Sequence, residues 1–334
     1  MTPADPWLSV LIPIFNVEAY LEECVASVQA QADADVEVIL YNDCSTDGSR
    51  ALMQALHDRH PGRLRLMDGD RNRGLSVARN RLLEASRGAW IWFLDSDDFL
   101  LPGAIAGLKP WTERSDVDLV LCDFRDHHDR QRLRQRLFGE RHQRTQDIPP
   151  RTPWRDAGRL MEGAFTRSQL HAWSKIGRRE LYGSDLRFPE NRYFEDGYTT
   201  PALMLRARSV VYVPEPWVAY RKRLGSILST PSAKKLQDLQ DSLDHVPALL
   251  AAQQPAVGTD TLAAASYFAY RSWLRASKQA ARDGDWAMVN RFLKQCEANS
   301  PVPFSAVMRY CLRRGWVWRA LRLRAAVRQA QRHA

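Results

Sequence analysis

Short apolar runs alternate with helical segments through the first hundred residues, and this alternation constrains the fold more than any other feature. The runs are rich in β-branched and aromatic residues, which is typical of buried strands. The predicted strands are residues 8–15, 36–41, 63–67 and 89–94. The predicted helices between them are residues 17–31, 47–56 and 75–86. Repeated strand–helix units imply right-handed crossovers, so we predict an α/β fold with a mostly parallel sheet flanked by helices.

The rest of the chain is less regular. Residues 117–122 and 209–213 predict two more strands, the second ending before Pro214 and Pro216. We expect a mobile polar loop over 125–151 and a helix with a connector over 160–181. From about residue 231 the chain becomes helical and rich in Ala and Leu, so we predict a domain boundary near 230. No internal repeat is present.

Polar residues follow each of the first four predicted strands. They are Asn16, Asp43, Asp68 with Asp70, and the segment 95–98. The carboxyl ends of parallel strands lie at one edge of a sheet, and ligands of open α/β sheets bind there. The sequence therefore predicts a ligand site lined by carboxylates.

The acidic segment Asp95-Ser96-Asp97-Asp98 is the strongest chemical signal. Mg²⁺ and Mn²⁺ prefer oxygen ligands, and a diphosphate leaving group needs its charge neutralised. An ordinary acidic turn is the alternative, since Asp is common in turns. The position of the segment after a very apolar strand favours a site for a metal and a diphosphate.

Two other acidic positions are candidates. Asp43 could accept a hydrogen bond from the N–H of a pyrimidine base, whereas Asp47 and Ser49 fit a turn and helix cap better. Glu195 and Asp196 could supply the base that deprotonates an acceptor hydroxyl. An acidic helix N-terminus is the alternative for that pair, and spacing alone favours it.

Phosphate binding has few other candidates. Arg221 and Arg223 could contact a diphosphate, or they could form a solvated basic turn; Lys175 is a weaker candidate of the same kind. The turn after the first strand, 13–16, has no glycine, and the chain has neither G-x-G-x-x-G there nor a P-loop motif. We therefore assign phosphate binding chiefly to a metal.

Composition limits the compartment and the partners. Five widely spaced cysteines with no C-x-x-C pair argue against a disulfide framework or a structural zinc site. No membrane-spanning run and no signal peptide are recognisable, so we expect a cytoplasmic protein. Residues 301–334 hold eight Arg and no acidic residue, while the first 300 residues hold 40 basic against 39 acidic side chains. This uneven distribution argues against nucleic acid as a partner.

The basic C-terminal tail, 301–334, could form an amphipathic helix. After Gly315, an apolar face is formed by Trp316, Ala320, Leu323 and Val327, with arginines opposite. Such a helix can lie on an anionic membrane, so we predict a peripheral contact on the inner membrane face through 305–332. The alternative is a helix packed on residues 240–300 with its arginines solvated.

Four ordered motifs resemble the inverting family 2 glycosyltransferases, which have the GT-A fold. The motifs are residues 10–16 (VLIPIFN), 42–49 (NDCSTDGS), 72–80 (NRGLSVARN) and 93–98 (FLDSDD). Looser similarity at 173–175, 187–189, 195–196 and 220–221 extends it over about the first 230 residues.

The resemblance implies a role for each candidate residue. Those expected at the nucleotide-sugar are Pro13, Phe15, Asn16, Glu18, Asp43, Asn72, Arg79, Asp95, Ser96, Lys175 and Arg221. Asp97, Asp95 and Asp98 would hold Mn²⁺ or Mg²⁺. Asp196 would be the catalytic base, with Glu195 beside it.

The resemblance also implies a function and a domain organisation. Residues 1–230 would form the GT-A domain, with a nucleotide-sugar half at 1–110 and an acceptor half at 111–230, followed by a helical region at 231–300 and the tail. The expected reaction moves a sugar from a nucleotide diphosphate, UDP above all, to a hydroxyl of a cell-surface glycan or lipid-linked precursor, as in lipopolysaccharide. The oligomeric state is not predicted.

Two departures and two rivals remain. Cys44 stands where the family usually has Gly, and the Q-x-x-R-W signature of processive synthases is absent, which suggests transfer of one or a few sugars. A sugar-phosphate nucleotidyltransferase could share the sheet, but it usually has a Gly-rich basic turn after the first strand. A membrane-surface binding module that has lost activity is the second rival.

Overall fold

The computed structural model describes residues 5–129, 139–223 and 232–333. The chain divides into two compact units. The sheet unit comprises Met1–Arg155, His171–Arg192 and Arg206–Leu224. The helical unit comprises Asp156–Leu170, Tyr193–Leu205 and Gly225–Ala334. Two segments from the first 230 residues thus belong with the C-terminal helices, because their contacts are made there, and the units do not follow one boundary at residue 230.

The sheet unit contains the strands and four helices of the described residues. The strands are β1 Leu8–Ile14, β2 Val36–Asn42, β3 Arg65–Asp68, β4 Trp90–Phe93, β5 Phe99–Leu100, β6 Leu119–His127, β7 His142–Gln143, β8 Lys175–Arg178 and β9 Val210–Arg221. The helices are α1 Glu18–Gln29, α2 Ser49–Arg59, α3 Leu75–Ala85 and α4 Ala104–Thr112. Every residue of β1 and β2 is buried, as expected for strands covered on both faces.

The sheet has the strand order β3-β2-β1-β4-β8-β6-β9-β5, and β7 pairs with β6. The first four strands in this order are parallel, which confirms the predicted strand–helix alternation. β8 is antiparallel to both β4 and β6, so the sheet is mixed, although β6 and β9 are again parallel to each other. The carboxyl ends of β1 to β4 therefore share one edge, as predicted.

β9 is longer than the sequence predicts. It continues through Pro214 and Pro216 to Arg221, although prolines normally end a strand. The register between β6 and β9 shifts around Asp123. β9 therefore bulges after Val213, and its pairing with β6 resumes at Pro216. This continuation carries Arg221 to the ligand edge.

Two other expectations are corrected. The segment 125–151 is not a single loop, since Arg125 pairs with His142 in the β6–β7 ladder; its residues 130–138 lie outside the described part. The segment 160–181 is a helix only at its start. Its end forms a short 3₁₀ turn and then β8, which places Lys175 in a strand.

The helical unit has a core of its own. Its helices are α5 Ala157–Arg167, α6 Glu195–Arg206, α7 Ala233–Asp241, α8 Val246–Ala251, α9 Thr259–Arg282, α10 Trp286–Ala298, α11 Phe304–Arg313 and α12 Val317–Arg332. The core joins side chains of α9 to α12, including Trp273, Phe292, Val307 and Leu323. Among the described helices, none is both long and apolar enough to cross a membrane.

The tail packs with these helices. Ala320, Leu323 and Val327, three members of the predicted membrane face, are buried in the helical core, and Trp316 packs against its rim. The apolar face found in the sequence is thus already covered by protein, because burying it there removes it from water. This matches the packed-helix alternative and leaves that face unavailable to a membrane.

Candidate active site

Asp43 follows β2 and connects two of the sequence motifs. Its Oδ1 accepts a hydrogen bond from the Arg73 N–H (3.0 Å), and its Oδ2 accepts one from the Gly74 N–H (2.7 Å). Gly74 has φ +86°, a conformation that favours glycine, and it immediately precedes α3. Asp43 therefore fixes the turn before α3. A carboxylate has about four acceptor positions, so these bonds leave capacity for a ligand N–H.

The loops after β1 and β2 are bonded to each other. Asn16, in the left-handed region at φ +51°, accepts from the Thr46 N–H at 2.8 Å through Oδ1. Glu18 accepts from the Gly48 N–H at 2.9 Å. A Cβ at position 48 would lie 2.3 Å from Glu18 Oε1, so a larger residue there would displace the Glu18 carboxylate from this bond. Asp47 accepts from the Ser49 N–H, which forms a turn just before α2; the cap residue itself is Gly48, so of the predicted turn and cap the structure shows the turn.

Three other predicted nucleotide residues lie on the same elements. Pro13 is buried within β1, opposite Tyr41 of β2. Phe15 follows β1 with 41% of its surface exposed, and Asn72 is exposed in the turn before α3. An aromatic ring exposed at the ligand edge provides a surface on which a base could stack.

Asp95 follows β4 and forms a salt bridge with Arg79. Arg79 Nη2 lies 2.8 Å from Asp95 Oδ1; the arginine side chain is 1% exposed and the aspartate side chain 26%. The guanidinium also lies 5.1 Å from the ring centroid of Phe188 and 5.9 Å from that of Phe93. A buried guanidinium is costly without such partners, so Arg79 is held in one position and orients Asp95.

Asp97 pairs with a different arginine. Arg223 Nε donates to Asp97 Oδ2 at 2.6 Å, and both side chains are partly exposed. Burial raises the pKa of Asp97, and the charge of Asp95 raises it further, while Arg223 lowers it. Burial and the charge of Asp95 therefore make the ionised form of Asp97 less favourable than it would be in water.

Asp98 is the most buried of the three aspartates. Its Oδ1 accepts from the Arg221 N–H at 2.8 Å, while Oδ2 has no hydrogen-bond partner among the residues that the structure describes. Burial raises the pKa of Asp98 well above its usual value, and Asp97 and Asp95 add to the effect. Ser96, between the aspartates, is also buried.

These side chains can be tested as a metal site. Within the described ranges, no group of three or more His, Cys, Asp or Glu forms a ready ligand set, so Asp95, Asp97 and Asp98 are not a preformed cage. Mg²⁺ is usually held by one or two carboxylates together with substrate phosphates and water, and Mn²⁺ accepts the same oxygen ligands. Raised pKa values at two carboxyls and a bare buried oxygen indicate negative charge that a cation would relieve. The donor set fits a metal completed by a diphosphate.

Arg221 is held by the protein itself. Its Nε donates to the Asp97 carbonyl at 2.9 Å, and its two Nη atoms pair with Asp129 and Glu23. Its side chain is 5% exposed, so in this structure it supports the 97–98 turn; the predicted contact with a diphosphate stays a prediction. Sequence reasoning missed Glu23 and Asp129, which lie 198 and 92 residues from Arg221 along the chain. No local pattern could have identified them.

Lys175 and Tyr220 belong to β8 and β9, the two strands that flank β6 in the sheet. Lys175 is buried, and its Nζ donates to the His171 carbonyl at 3.0 Å and to Ser174 Oγ at 2.9 Å. Tyr220 stacks on Trp173 with ring centroids 5.5 Å apart. Burial raises the pKa of Tyr220, and the charges of Asp98, Asp95 and Asp97 add to the effect. The sequence analysis included Tyr220 only in the looser similarity at 220–221 and assigned it no role.

Glu195 and Asp196 lie in the helical unit, whereas Asp95 to Asp98 lie in the sheet unit. Both residues are in the first turn of α6, where the helix dipole favours carboxylates. Glu195 is buried and Asp196 is half-buried. Their assignment as base and neighbour stays a prediction.

The elements now define a class of protein. Parallel strands β1 to β4 end in loops held together by Asp43, Asn16 and Glu18, and the acidic segment follows β4. This is the GT-A type of α/β domain, in which the carboxyl edge of the sheet binds the ligand.

Comparisons with known proteins agree with this class. Residues 9–168 match the family described as Glycosyl transferase family 2. The uncharacterized glycosyltransferase EpsJ of Bacillus subtilis (strain 168) is 28% identical over 238 residues, which are 68% of this chain and 64% of EpsJ. The chain therefore spans slightly less than two thirds of this relative's length.

Solved structures show the same fold. S. aureus TarS 1-349, in complex with UDP-GlcNAc, matches with a TM-score of 0.68 and 18% identity, covering 96% of this chain and 91% of that one. The mannosyltransferase PcManGT from Pyrobaculum calidifontis, in complex with GDP-Man and Mn²⁺, matches with a TM-score of 0.50 and 17% identity, covering 98% and 88%. The match to glycosyltransferase family 2 is thus confined to residues 9–168, and the predicted GT-A-like fold is confirmed.

Proposed function

We propose that the protein is a metal-dependent, inverting glycosyltransferase that moves a sugar from a nucleotide diphosphate to an acceptor hydroxyl. The observation that carries this proposal is the acidic segment after β4, where Asp95 and Asp97 are each aligned by an arginine and Asp98 has a bare buried oxygen. The match of residues 9–168 to family 2 supports the same reaction. No observation in the described residues favours a nucleotidyltransferase.

The sheet unit would bind the donor. Asp43 has acceptor capacity left for the N–H of a base, and Phe15 offers an exposed ring beside it. Asp95 and Asp97 would hold Mn²⁺ or Mg²⁺, which supplies positive charge to the diphosphate. Arg223 lies against Asp97 and could turn to a phosphate oxygen once a metal occupies that carboxylate.

The chemical step would use a base from the helical unit. Asp196 would take the proton of the acceptor hydroxyl while the acceptor oxygen forms a bond to the anomeric carbon. The bond from that carbon to the diphosphate oxygen breaks, and the diphosphate leaves with the electron pair. One displacement of this kind inverts the anomeric configuration.

UDP is the donor nucleotide we propose first. TarS, a structural neighbour, is known with UDP-GlcNAc, whereas PcManGT is known with GDP-Man. The proposed acceptor is a bacterial cell-surface glycan or its lipid-linked precursor, and the proposed location is the cytoplasmic face of the membrane.

Calorimetric titration with UDP and with GDP, each with and without Mn²⁺, would test donor binding. We expect UDP to bind in the presence of Mn²⁺ and more weakly with EDTA. Asp97→Asn should lose most of the gain in UDP affinity that Mn²⁺ gives. The matched control is Asp116→Asn, at an exposed residue that pairs with Arg114, and it should bind UDP as wild type does.

A screen of nucleotide sugars for metal-dependent release of the nucleotide would then identify the sugar. Turnover of a UDP-sugar with inverted product configuration, seen by NMR, is the expected result. Absence of nucleotide binding with any base or metal would refute the proposal and favour an inactive binding module.

A further inference from the structure

The corner between α11 and α12 exposes an apolar surface. The structure leaves five large apolar side chains exposed among the residues it describes, and four of them lie within this ten-residue stretch. They are Leu312 at 52% exposed, Val317 at 47%, Trp318 at 82% and Leu321 at 49%. We call these four residues the corner patch.

The corner patch is not the apolar face found in the sequence. Trp318, Leu321 and Ala325 follow one another at i, i+3 and i+7, so they share one stripe of α12, and all three are exposed. The buried stripe of the same helix consists of Ala320, Leu323, Val327 and Ala330. The two stripes lie on opposite sides of α12. When the buried stripe packs against the helical core, the corner patch faces the solvent.

Positive charge surrounds the corner patch. Arg313 and Arg314 pair with Asp260 and Glu162 and are engaged within the helical unit. The other arginines of α11 and α12 are exposed and form no ion pair with any residue in the described ranges. They are Arg309, Arg319, Arg322, Arg324, Arg328 and Arg332. Residues 301–334 contain no carboxylate side chain to offset them.

We propose that the corner patch binds the surface of a lipid bilayer that contains anionic headgroups. An exposed Trp and aliphatic side chains can enter the interface between headgroups and acyl chains, where Trp is favoured. The surrounding guanidinium groups attract anionic headgroups, since each basic residue near such a surface strengthens binding. Charge complementarity favours a bilayer over an acidic protein, because an extended array of headgroups can meet several arginines together, among them Arg322, Arg328 and Arg332, which flank the exposed stripe of α12.

The inference deepens the peripheral membrane contact within the proposed function and assigns it to a different face. Only the biological role of the membrane contact rests on the proposed function. The binding itself does not, because binding to vesicles requires neither donor nor acceptor. Failure of vesicle binding and failure of sugar transfer are therefore separate results.

Flotation of the full chain with vesicles would test the proposal. Vesicles of phosphatidylcholine with phosphatidylglycerol should bind the protein, and vesicles of phosphatidylcholine alone should bind it about tenfold or more weakly. Trp318→Ser/Leu321→Ser should weaken binding by about tenfold or more. Both side chains are exposed, so the variant should keep the melting temperature and the UDP affinity of the wild type.

Two variants with the same change in net charge distinguish a specific contact at the corner patch from a general effect of the protein's charge. Arg322→Glu/Arg328→Glu changes the patch, and Arg282→Glu/Lys294→Glu makes the same charge change at exposed positions of α9 and α10. Only the first should weaken binding by about tenfold or more. Equal weakening by both would overturn the assignment to the corner patch.

Two further outcomes would also overturn it. Unchanged binding of Trp318→Ser/Leu321→Ser would remove the apolar side chains from the contact. If light scattering instead shows that wild type self-associates, that this variant does not, and that neither binds vesicles, the patch is an interface between copies of the chain.

Discussion

Replacing Asp98 by Asn should change how the stability of the protein depends on pH. Asp98 is 1% exposed, and burial together with Asp97 and Asp95 raises its pKa in the folded state. Asn can keep the bond from the Arg221 N–H to Oδ1 while removing the charge. The variant therefore isolates the cost of ionising this carboxyl inside the fold.

The sign follows from the direction of the pKa shift. The folded state retains the Asp98 proton at pH values where the unfolded chain, with a pKa near 4, has released it. The contribution of this carboxyl to stability is fully present below the unfolded pKa and is lost as the pH rises through the folded pKa. Between the two pKa values, the free energy of unfolding of the wild type falls by about 1.4 kcal/mol per pH unit relative to the variant.

Urea denaturation in EDTA, at several values between about pH 4 and pH 8, would measure this difference. Asp116→Asn is the control. Arg114 lowers the pKa of the exposed Asp116 carboxyl, so the titration of this carboxyl changes stability only in more acidic solutions. Parallel stability curves for wild type and Asp98→Asn across the range would refute the reasoning. With Mn²⁺ and UDP added, stabilisation of the wild type should grow with pH, because the cation binds the ionised carboxylates.

Three more predictions follow from single positions. Asp196→Asn should lower sugar transfer by about a hundredfold or more while UDP binding, measured by calorimetry, is unchanged; near-normal turnover would exclude it as the base. Cys44, at φ +56°, occupies the left-handed region. Cys44→Gly should therefore exceed Cys44→Val in the free energy of unfolding by about 1 kcal/mol or more, and equal stabilities would contradict this. Leu323→Ala should cost about 2–4 kcal/mol of unfolding free energy, whereas Leu321→Ala, two residues earlier, should cost less than about 0.5 kcal/mol; similar costs would show that α12 is packed differently.

Strands β1 to β4 could be predicted from the sequence because their signal is local. Each is a continuous apolar run bounded by polar residues, and each lies between helical segments with a clear period. β9 could not be predicted in full, since the rule that proline ends a strand holds only without a bulge. The bulge depends on the register with β6, which the sequence of β9 does not contain.

The candidate site divides in the same way. The positions of Asp43 and Asp95 at one edge followed from parallel strands alone. Their partners did not: Arg79 reaches Asp95 from α3, and the Gly74 N–H reaches Asp43 from the turn before it. Arg221 looked like a free cation in its own turn, but Glu23 and Asp129 lie far away in sequence and adjacent in space.

The sequence by itself determined the parallel strands β1 to β4, the edge that carries the acidic segment and the resemblance to family 2 glycosyltransferases, because periodicity and motifs are properties of neighbouring residues. Tertiary structure decided which arginine pairs with which aspartate and which side of α12 faces water. The two faces of that helix are both partly apolar, and only the core formed with α9 to α11 selects Leu323 for burial and Trp318 for exposure. Burial and ion pairing depend on groups distant in the chain, so they are fixed only when the chain has folded.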